Sequence, residues 1–388
     1  MASAKKTTKT RKWIKRMLII GLSLVGAMAL FVFAYMQHPK FGRLPSGARL
    51  ERIQKSPHFK NGKFRNVEPK PRTPENVSTL EVFGKFLFGD KSKRTPSAPV
   101  PSVKRDLHNL DAGRDVLVWF GHSSYFIQAG GKRILVDPVF SGAASPVSFT
   151  TKAFNGSDAY EIGDLPVIDY LFITHDHWDH LDYETVLKLR PKVGKVVCAL
   201  GVGEHLEYWG FKPEQIIEMH WGDETSPEAG VKVHCLTTHH FSGRGLSHER
   251  SMWAAFFVET PALRFYIGGD SGYGAHYAEA GKRFGPMDLA ILENGQYDPN
   301  WASIHMMPEE TLQAAADLKT RRLLPVHNSK FSISNHDWDD PHRRVTQGER
   351  APNLRLLTPV IGEIVDLRDD AQTFTHWWET VGKKPSAN

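Results

Sequence analysis

A chain of 388 residues, 40% hydrophobic, has ample core for one large domain or two small ones. Its net charge of +6 is laid out unevenly: residues 1–16 carry seven Lys or Arg and no acid, residues 38–112 carry sixteen basic against seven acidic side chains, and the rest, from Gly113, has 26 basic against 36 acidic. The basicity belongs to the N-terminal quarter, which argues for a membrane surface and against nucleic acid, because the acidic remainder would repel phosphate polymers.

Met17 to Met36 is an uncharged apolar run of twenty residues. As a helix it rises about 30 Å, the thickness of a bilayer's hydrocarbon core. Lys5, Lys6, Lys9, Arg11, Lys12, Lys15 and Arg16 precede it. The positive-inside rule then leaves the N-terminus in the cytoplasm and the remainder on the periplasmic side of a bacterial inner membrane. Ala27-Met28-Ala29 would suit signal-peptide cleavage, but the apolar run continues through Leu30-Phe31-Val32-Phe33, so an uncleaved single-pass anchor is expected. The chain divides into a basic tail (1–16), an anchor (17–36), a basic Pro-rich extension (37–112), a catalytic domain (113–370) and a C-terminal tail (371–388). In the extension, Pro69 to Pro74 and Pro96 to Pro101 read as extended segments, and Leu80 to Phe88 as an apolar stretch. Phe59, Phe64, Phe83, Phe86 and Phe88 suggest that the extension wraps on the main domain. Its cations would favour anionic lipid head groups by about 1 kcal/mol each where well placed; a solvated basic tail is the alternative.

The acidic part opens on three expected strands, Val116–Phe120, Ser124–Gln128 and Arg133–Val136, the last two joined by a turn at Ala129-Gly130-Gly131. Ile168 to Thr174 reads as a buried strand end and opens directly into His175-Asp176-His177-Trp178-Asp179-His180-Leu181-Asp182. Three histidines and three aspartates within eight residues at a strand end are how a fold delivers ligands to a metal. His175 and His177 can point one way from an extended loop while Asp179 and His180 turn to a neighbouring position, so one loop can feed two adjacent sites. Helix and strand then alternate (Tyr183–Leu189, Lys195–Ala199, Gly203–Gly210, Gln215–Trp221), as in a layered α/β domain. Val231–Leu236 leads to His239-His240. Ala254–Glu259 and Leu263–Gly268 read as paired strands and end in Gly269-Asp270-Ser271-Gly272. Asp288–Glu293 is a further strand, His305 precedes a helix opening at Pro308-Glu309-Glu310, and Arg322–Val326 delivers His327. Cys198 and Cys235 lie in expected strands, as core thiols.

The text His175-x-His177-x-Asp179-His180 resembles the metal-binding loop of the metallo-β-lactamase superfamily, and the resemblance runs from about Asp115 to Asp366. It implies an αββα sandwich, here with an N-terminal transmembrane helix and a basic extension. It also implies two metal sites: His175, His177 and His240 for one, Asp179, His180 and His327 for the other, with Asp270 bridging. His239 is the alternative to His240. Asp137, after the third strand, resembles the family's structural aspartate and would brace the loop. Gly121-His122-Ser123-Ser124 resembles its opening turn, which leaves His122 beside the site or purely structural. Nitrogen and oxygen donors without thiolate suit two Zn²⁺ per chain, and the same donors would serve Fe or Mn. Trp119 to Ser123, His240-Phe241-Ser242, Gly269 to Tyr273 and His305 before Pro308-Glu309-Glu310 are similar to the N-acylphosphatidylethanolamine-hydrolysing phospholipase D family. That likeness implies a zinc-dependent phosphodiesterase with a phospholipid substrate, and Asp179, Asp270 and His305 as its catalytic residues. Thr237-Thr238-His239 and Glu293 to Gln296 depart from that family's pattern. A lactonase or another hydrolase of this fold acting on a small-molecule ester, lactone, phosphodiester or β-lactam remains the alternative, and a binding protein with a structural metal is the reading from another class.

Overall fold

The computed structural model describes residues 2–71, 73 and 77–383, with the backbone alone at 2–10, 79, 80, 83, 86 and 87. Of the stretches and residues named above, 72, 74–76 and 384–388 lie outside the described residues, as do the side chains of Lys5, Lys6, Lys9, Leu80, Phe83 and Phe86.

A single helix, α1 (Ala2–Met36), takes in both the basic tail and the apolar run instead of starting at Met17. From Arg11 to Met36 it is long and apolar enough to cross a membrane, and no part of its apolar window is buried among the described residues. The extension is largely structured. It forms α2 (Gly47–Gln54), a small hairpin of β1 (Phe59–Lys60) and β2 (Lys63–Phe64), and α3 (Thr79–Phe88). Ile53, Phe64, Val100 and Leu107 are buried in the main core.

Two seven-stranded sheets follow. The first contains β3 (Val116–Trp119), β4 (Tyr125–Ala129), β5 (Lys132–Val136), β6 (Ile168–Ile173), β7 (Val193–Ala199) and β8 (Ile216–Met219). The second contains β9 (Glu224–Glu228), β10 (Val231–Leu236), β11 (Ala255–Glu259), β12 (Arg264–Ile267), β13 (Leu289–Glu293), β14 (Arg322–Val326) and β15 (Arg355–Leu356). The last strand, β16 (Ile364–Asp366), returns to pair antiparallel with β3 in the first sheet. Ala129 pairs with Lys132, so the expected three-residue turn is a two-residue one at Gly130-Gly131, where φ values of 57° and 75° favour glycine.

The sequence explains the layers. On the second sheet Phe256, Val258, Phe265, Ile267, Ile291 and Leu324 enter the core that also takes residues of the first sheet. Their alternates Ala255, Phe257, Tyr266, Ala290, Leu292 and Leu323 form a separate cluster on the opposite face. Both faces are covered, so the parallel strands β12–β14 are apolar runs with little alternation. The covering elements are α6 (His276–Phe284), α7 (Pro308–Asp317) and α8 (Asp340–Gln347). On the first sheet α4 (Tyr183–Leu189) and α5 (Gly203–Tyr208) contribute Val186, Leu189 and Leu206 to the core. The result is the layered sandwich expected. Strands β9, β15 and β16 and helices α6 and α8 were not legible beforehand. Residues 371–383, read as tail, bury Trp377 and Trp378, and Trp378 stacks on His342 at 4.6 Å.

Candidate metal centre

The segments after β3, β5, β6, β10, β12, β13 and β14 converge at one edge of the sandwich and carry the polar residues of the site. Position comes first from the backbone. His122 and His327, in the turn after β3 and at the end of β14, both have left-handed backbones with φ of 52° and 68°. They are locked by exchange: His327 N–H donates to His122 O at 3.0 Å, and His122 N–H to Asn328 O at 2.8 Å. Left-handed φ costs about 1 kcal/mol or more outside glycine, and such strain clusters at functional sites. Before Asp270, a side chain at Gly269 would stand 3.0 Å from Ala254 O and from Thr174 Cβ, and φ there is +59°. Only glycine lets the strand end approach the metal loop this closely.

Side-chain bonds then aim the donors. Asp137 accepts from Thr174 N–H at 2.9 Å, Thr174 Oγ1–H at 2.6 Å and His180 Nδ1–H at 2.8 Å, so it braces the loop. Because Thr174 Oγ1 spends its proton on Asp137, it accepts from His175 Nδ1–H at 3.0 Å. His240 Nδ1–H donates to Ile304 O at 3.1 Å. All three histidines therefore turn an unprotonated Nε2 to the interior, the orientation that outer hydrogen bonds impose on ligand imidazoles. His240 is gripped further by Asn66 of the extension, which accepts its N–H at 3.2 Å and donates to its carbonyl at 3.0 Å.

The nitrogens converge. His175 Nε2 lies 2.9 Å from His177 Nδ1, and His240 Nε2 lies 3.2 Å from the same atom. With Asp270 these three form one group whose donor atoms lie within 4.8 Å of one another. Asp179, His180 and His327, joined by His122, form a second such group. Asp270 reaches both: Oδ2 stands 3.8 Å from His175 Nε2 and 3.2 Å from His180 Nε2, while Oδ1 stands 3.3 Å from His327 Nδ1. His239 joins neither group; its ring packs at 4.7 Å on His276. His305 belongs to a third group with Asp270, Glu293 and His327, and its Nδ1 lies 2.5 Å from Glu293 Oε2.

Glu293, Asn66 and Arg244 shape the site without having been expected to. For Glu293 the signal was a carboxylate closing the buried run Leu289–Leu292 at the same edge as Asp270. It accepts Ser271 N–H and Met306 N–H at 3.0 Å each. His122, left open between a neighbour of the site and a structural residue, touches it: its Nε2 bonds Asp179 Oδ2 at 2.8 Å.

The electrostatics suit a cation. Burial, reinforced by neighbouring imidazoles, holds His175, His240 and His327 well below the usual histidine range, and at His177 burial outweighs Asp179 and Asp176 and pushes the ring down to about 4; at His180 burial is instead outweighed by Asp270, Asp179 and Asp137, which raise it well above that range. Burial also raises Asp270 to about 6 against the pull of His180. For Asp179, burial is outweighed by His180 and His122, which hold it well below the carboxylate range. His180 Nε2 and Asp270 Oδ1 are buried without a hydrogen-bond partner among the described residues. Neutral His175, His177, His240 and His327 and an unsatisfied carboxylate oxygen suit a metal ion, which would take the place of the proton that the surrounding carboxylates otherwise hold on His180.

The beta-lactamase superfamily domain matches residues 132–328. An uncharacterized protein of Mycobacterium tuberculosis is 32% identical over 329 residues, 84% of this chain and 88% of that one. A Caenorhabditis elegans protein named N-acyl-phosphatidylethanolamine-hydrolyzing phospholipase D 1 is 28% identical over 301 residues, 73% of this chain and 84% of its own. A solved metallo hydrolase of the archaeon Ignicoccus hospitalis, 21% identical, shares the fold with a TM-score of 0.50 over 65% of this chain and 97% of that chain. With two carboxylate-linked donor groups at the edge of a two-sheet sandwich, the chain belongs to the beta-lactamase superfamily and is a metal-dependent hydrolase of metallo-β-lactamase fold.

Proposed function

We propose that the protein is a membrane-anchored, zinc-dependent phosphodiesterase of phospholipase D type acting on N-acylphosphatidylethanolamine-like phospholipids. The observation that carries this is the pair of donor groups linked by Asp270, with His305 and Glu293 beside them. The apolar helix α1 behind a cationic tail, held in the inner membrane with the hydrolase domain on the periplasmic side, fits a lipid substrate. So does the similarity to the nematode phospholipase D. Hydrolysis consumes one water, breaks the bond between phosphorus and the head-group oxygen, and releases phosphatidic acid and the head-group alcohol.

Two zinc ions held by His175, His177, His240, Asp179, His180, His327 and Asp270 would lower the pKa of water there and offset charge on the phosphoryl oxygens. The remaining work falls to side chains. Asp270 holds the two donor groups at a fixed separation. His122 keeps Asp179 turned inward, and Asn66 does the same for His240. Glu293 accepts the Nδ1 proton of His305 and leaves its Nε2 lone pair to the site. Burial lowers the proton affinity of His305 and raises that of Glu293 well above the carboxylate range, so the pair together can take up one proton and return it. His305 Nε2 is thus the acceptor for the proton of the attacking water and its donor to the leaving oxygen.

The test is turnover by the full chain in lipid nanodiscs of N-acylphosphatidylethanolamine, a lactone and a β-lactam, together with metal content. Release of phosphatidic acid with two zinc per chain is expected. Turnover of the lactone or β-lactam alone would overturn the substrate reading, and one tightly held ion without any turnover would overturn the enzyme.

A further inference from the structure

The end of α1 is not free of the hydrolase domain. Tyr35 Oη donates to Pro146 O at 2.6 Å, and Lys40 Nζ reaches the same carbonyl at 2.5 Å and Tyr35 Oη at 2.8 Å. On another side, Met36, Phe41, Leu44, Arg244 and Leu246 line a cavity of about 180 Å³. Two loops, 145–150 and 244–248, thus border the last turn of the helix and the segment after it. Each displays one large apolar side chain: Phe149 is 76% exposed and Leu246 is 84% exposed. Phe149 is not on a loose excursion, since Thr150 N–H donates to Val147 O at 2.9 Å and Ser145 Oγ–H to the same oxygen at 2.8 Å. Leu44, also exposed, lies in the segment that leaves α1, and Lys152 supplies an exposed cation nearby.

Scattered apolar side chains on a surface need no explanation. These two differ because of where they stand. If α1 spans a bilayer from the cations of residues 11–16, its twentieth apolar residue, Met36, lies at the far interface, where Tyr and Lys side chains settle. Loops in hydrogen-bond contact with Tyr35 and Lys40 then lie at that same boundary. We propose that Phe149 and Leu246 insert into the lipid leaflet through which α1 emerges, so that the helix and two loops together form a three-point docking surface for the bilayer. The proposal rests on the anchor reading above. It has a consequence for the site. Phe41 packs at 5.3 Å on Trp178, the residue between His177 and Asp179, and the Arg244 guanidinium lies 4.0 Å over that ring. Docking would hold the metal loop against the lipid face, where a phospholipid head group is presented.

The test uses full-length protein in nanodiscs, with single cysteines at Phe149→Cys, Leu246→Cys, Leu24→Cys and Val167→Cys carrying an environment-sensitive fluorophore. Cys198 and Cys235 are free but fully buried, so the folded protein takes label at the introduced site. Val167, 64% exposed, precedes β6 at the end opposite His175 and serves as the aqueous reference; Leu24, in mid-helix, reports the anchor itself. Blue-shifted emission and quenching by spin-labelled lipids are expected at Phe149→Cys and Leu246→Cys, approaching Leu24→Cys and well above Val167→Cys. Water-like emission at both loop sites, with Leu24→Cys quenched, overturns the docking surface and spares the anchor. Water-like emission at Leu24→Cys as well overturns both. Quenching at the loops without quenching at Leu24→Cys sinks the anchor and keeps the loops as a lipid-binding surface.

Discussion

Removing the guanidinium of Arg244 should loosen the metal loop at both of its ends. The side chain is buried, and burial lowers its pKa only to about 10, so it stays a cation at neutral pH. Its Nη1 donates to Asp176 O at 3.0 Å and Leu181 O at 2.5 Å, carbonyls that bracket His177 to His180. Its Nε and Nη2 donate to Lys40 O at 3.1 and 2.9 Å, which ties the loop to the segment leaving α1. Hydrogen bonds from charged donors net about 1.5–3 kcal/mol each, and a desolvated cation–π contact such as that with Trp178 about 2 kcal/mol. Counting one bond per carbonyl at the lower figure, Arg244→Ala should lose about 6 kcal/mol, or roughly 10 °C or more in Tm for a domain this large. Arg244→Lys keeps the charge and loses the planar fork, so one ammonium cannot serve both sides, and about half of the loss should remain. Thermal melts of the full chain in detergent, followed by tryptophan fluorescence and metal retention, measure both. An Arg244→Ala protein melting within about 2 °C of the parent would refute the bracket, since that shift corresponds to roughly 1 kcal/mol or less. Full recovery in Arg244→Lys would show that charge, and not the fork, matters.

Asp270→Asn keeps the shape of the linking carboxylate without its charge; it should lose bound metal and about a thousandfold in bis(4-nitrophenyl) phosphate turnover, while His239→Ala stays near the parent rate. The reverse ranking would move the donor set. Glu293→Gln turns an N–H toward His305 Nδ1 and forces the proton to Nε2; kcat should fall about 10–100-fold with KM little changed, and an unaltered kcat would remove His305 from proton transfer. Burial, with some help from His376, pushes His342 down to about 3, so its ring is neutral in the folded protein. Between that value and about 6.5 the unfolded chain binds one more proton, so this group costs stability as pH falls below 6.5, by about 1.4 kcal/mol per pH unit. His342→Phe should therefore lose about 2 kcal/mol less than the parent between pH 7.5 and 5.0 in denaturant unfolding, and an equal loss in both proteins would refute the assignment.

The loop His175–Asp182, Asp270 after Gly268-Gly269 and His327 after Arg322–Val326 were legible because each is a polar break at the end of an apolar strand, a pattern written in contiguous residues. What stayed hidden depends on contacts between distant ones. Strand β9 reads Glu-Thr-Ser-Pro-Glu and sits at the sheet edge, where polar residues and proline are tolerated and no apolar run marks it. Strands β15 and β16 have two and three residues, too few to show a period, and β16 finds β3 across most of the domain. Asn66 acts on His240 from 174 residues away, and the role of Arg244 becomes visible only once Lys40 lies over the metal loop.

The uneven charge of the sequence has a similar explanation. A basic extension before an acidic domain suggested attraction to anionic lipid, yet several of its cations are committed within the fold. Arg49 pairs with Glu204, Glu207 and Glu218 at 2.5–2.8 Å and is only 13% exposed. Arg43 also reaches Glu204, Arg52 reaches Asp223, Lys63 reaches Glu249, and Lys104 reaches Asp164. A largely buried guanidinium shared by three carboxylates contributes more than isolated surface pairs, which are worth about 1 kcal/mol or less. Through these pairs the positive extension and the negative domain become complementary faces of a single folded unit. Because the same extension supplies Asn66 to His240 and the carbonyl of Lys40 to Arg244, its charge pairing holds the site together.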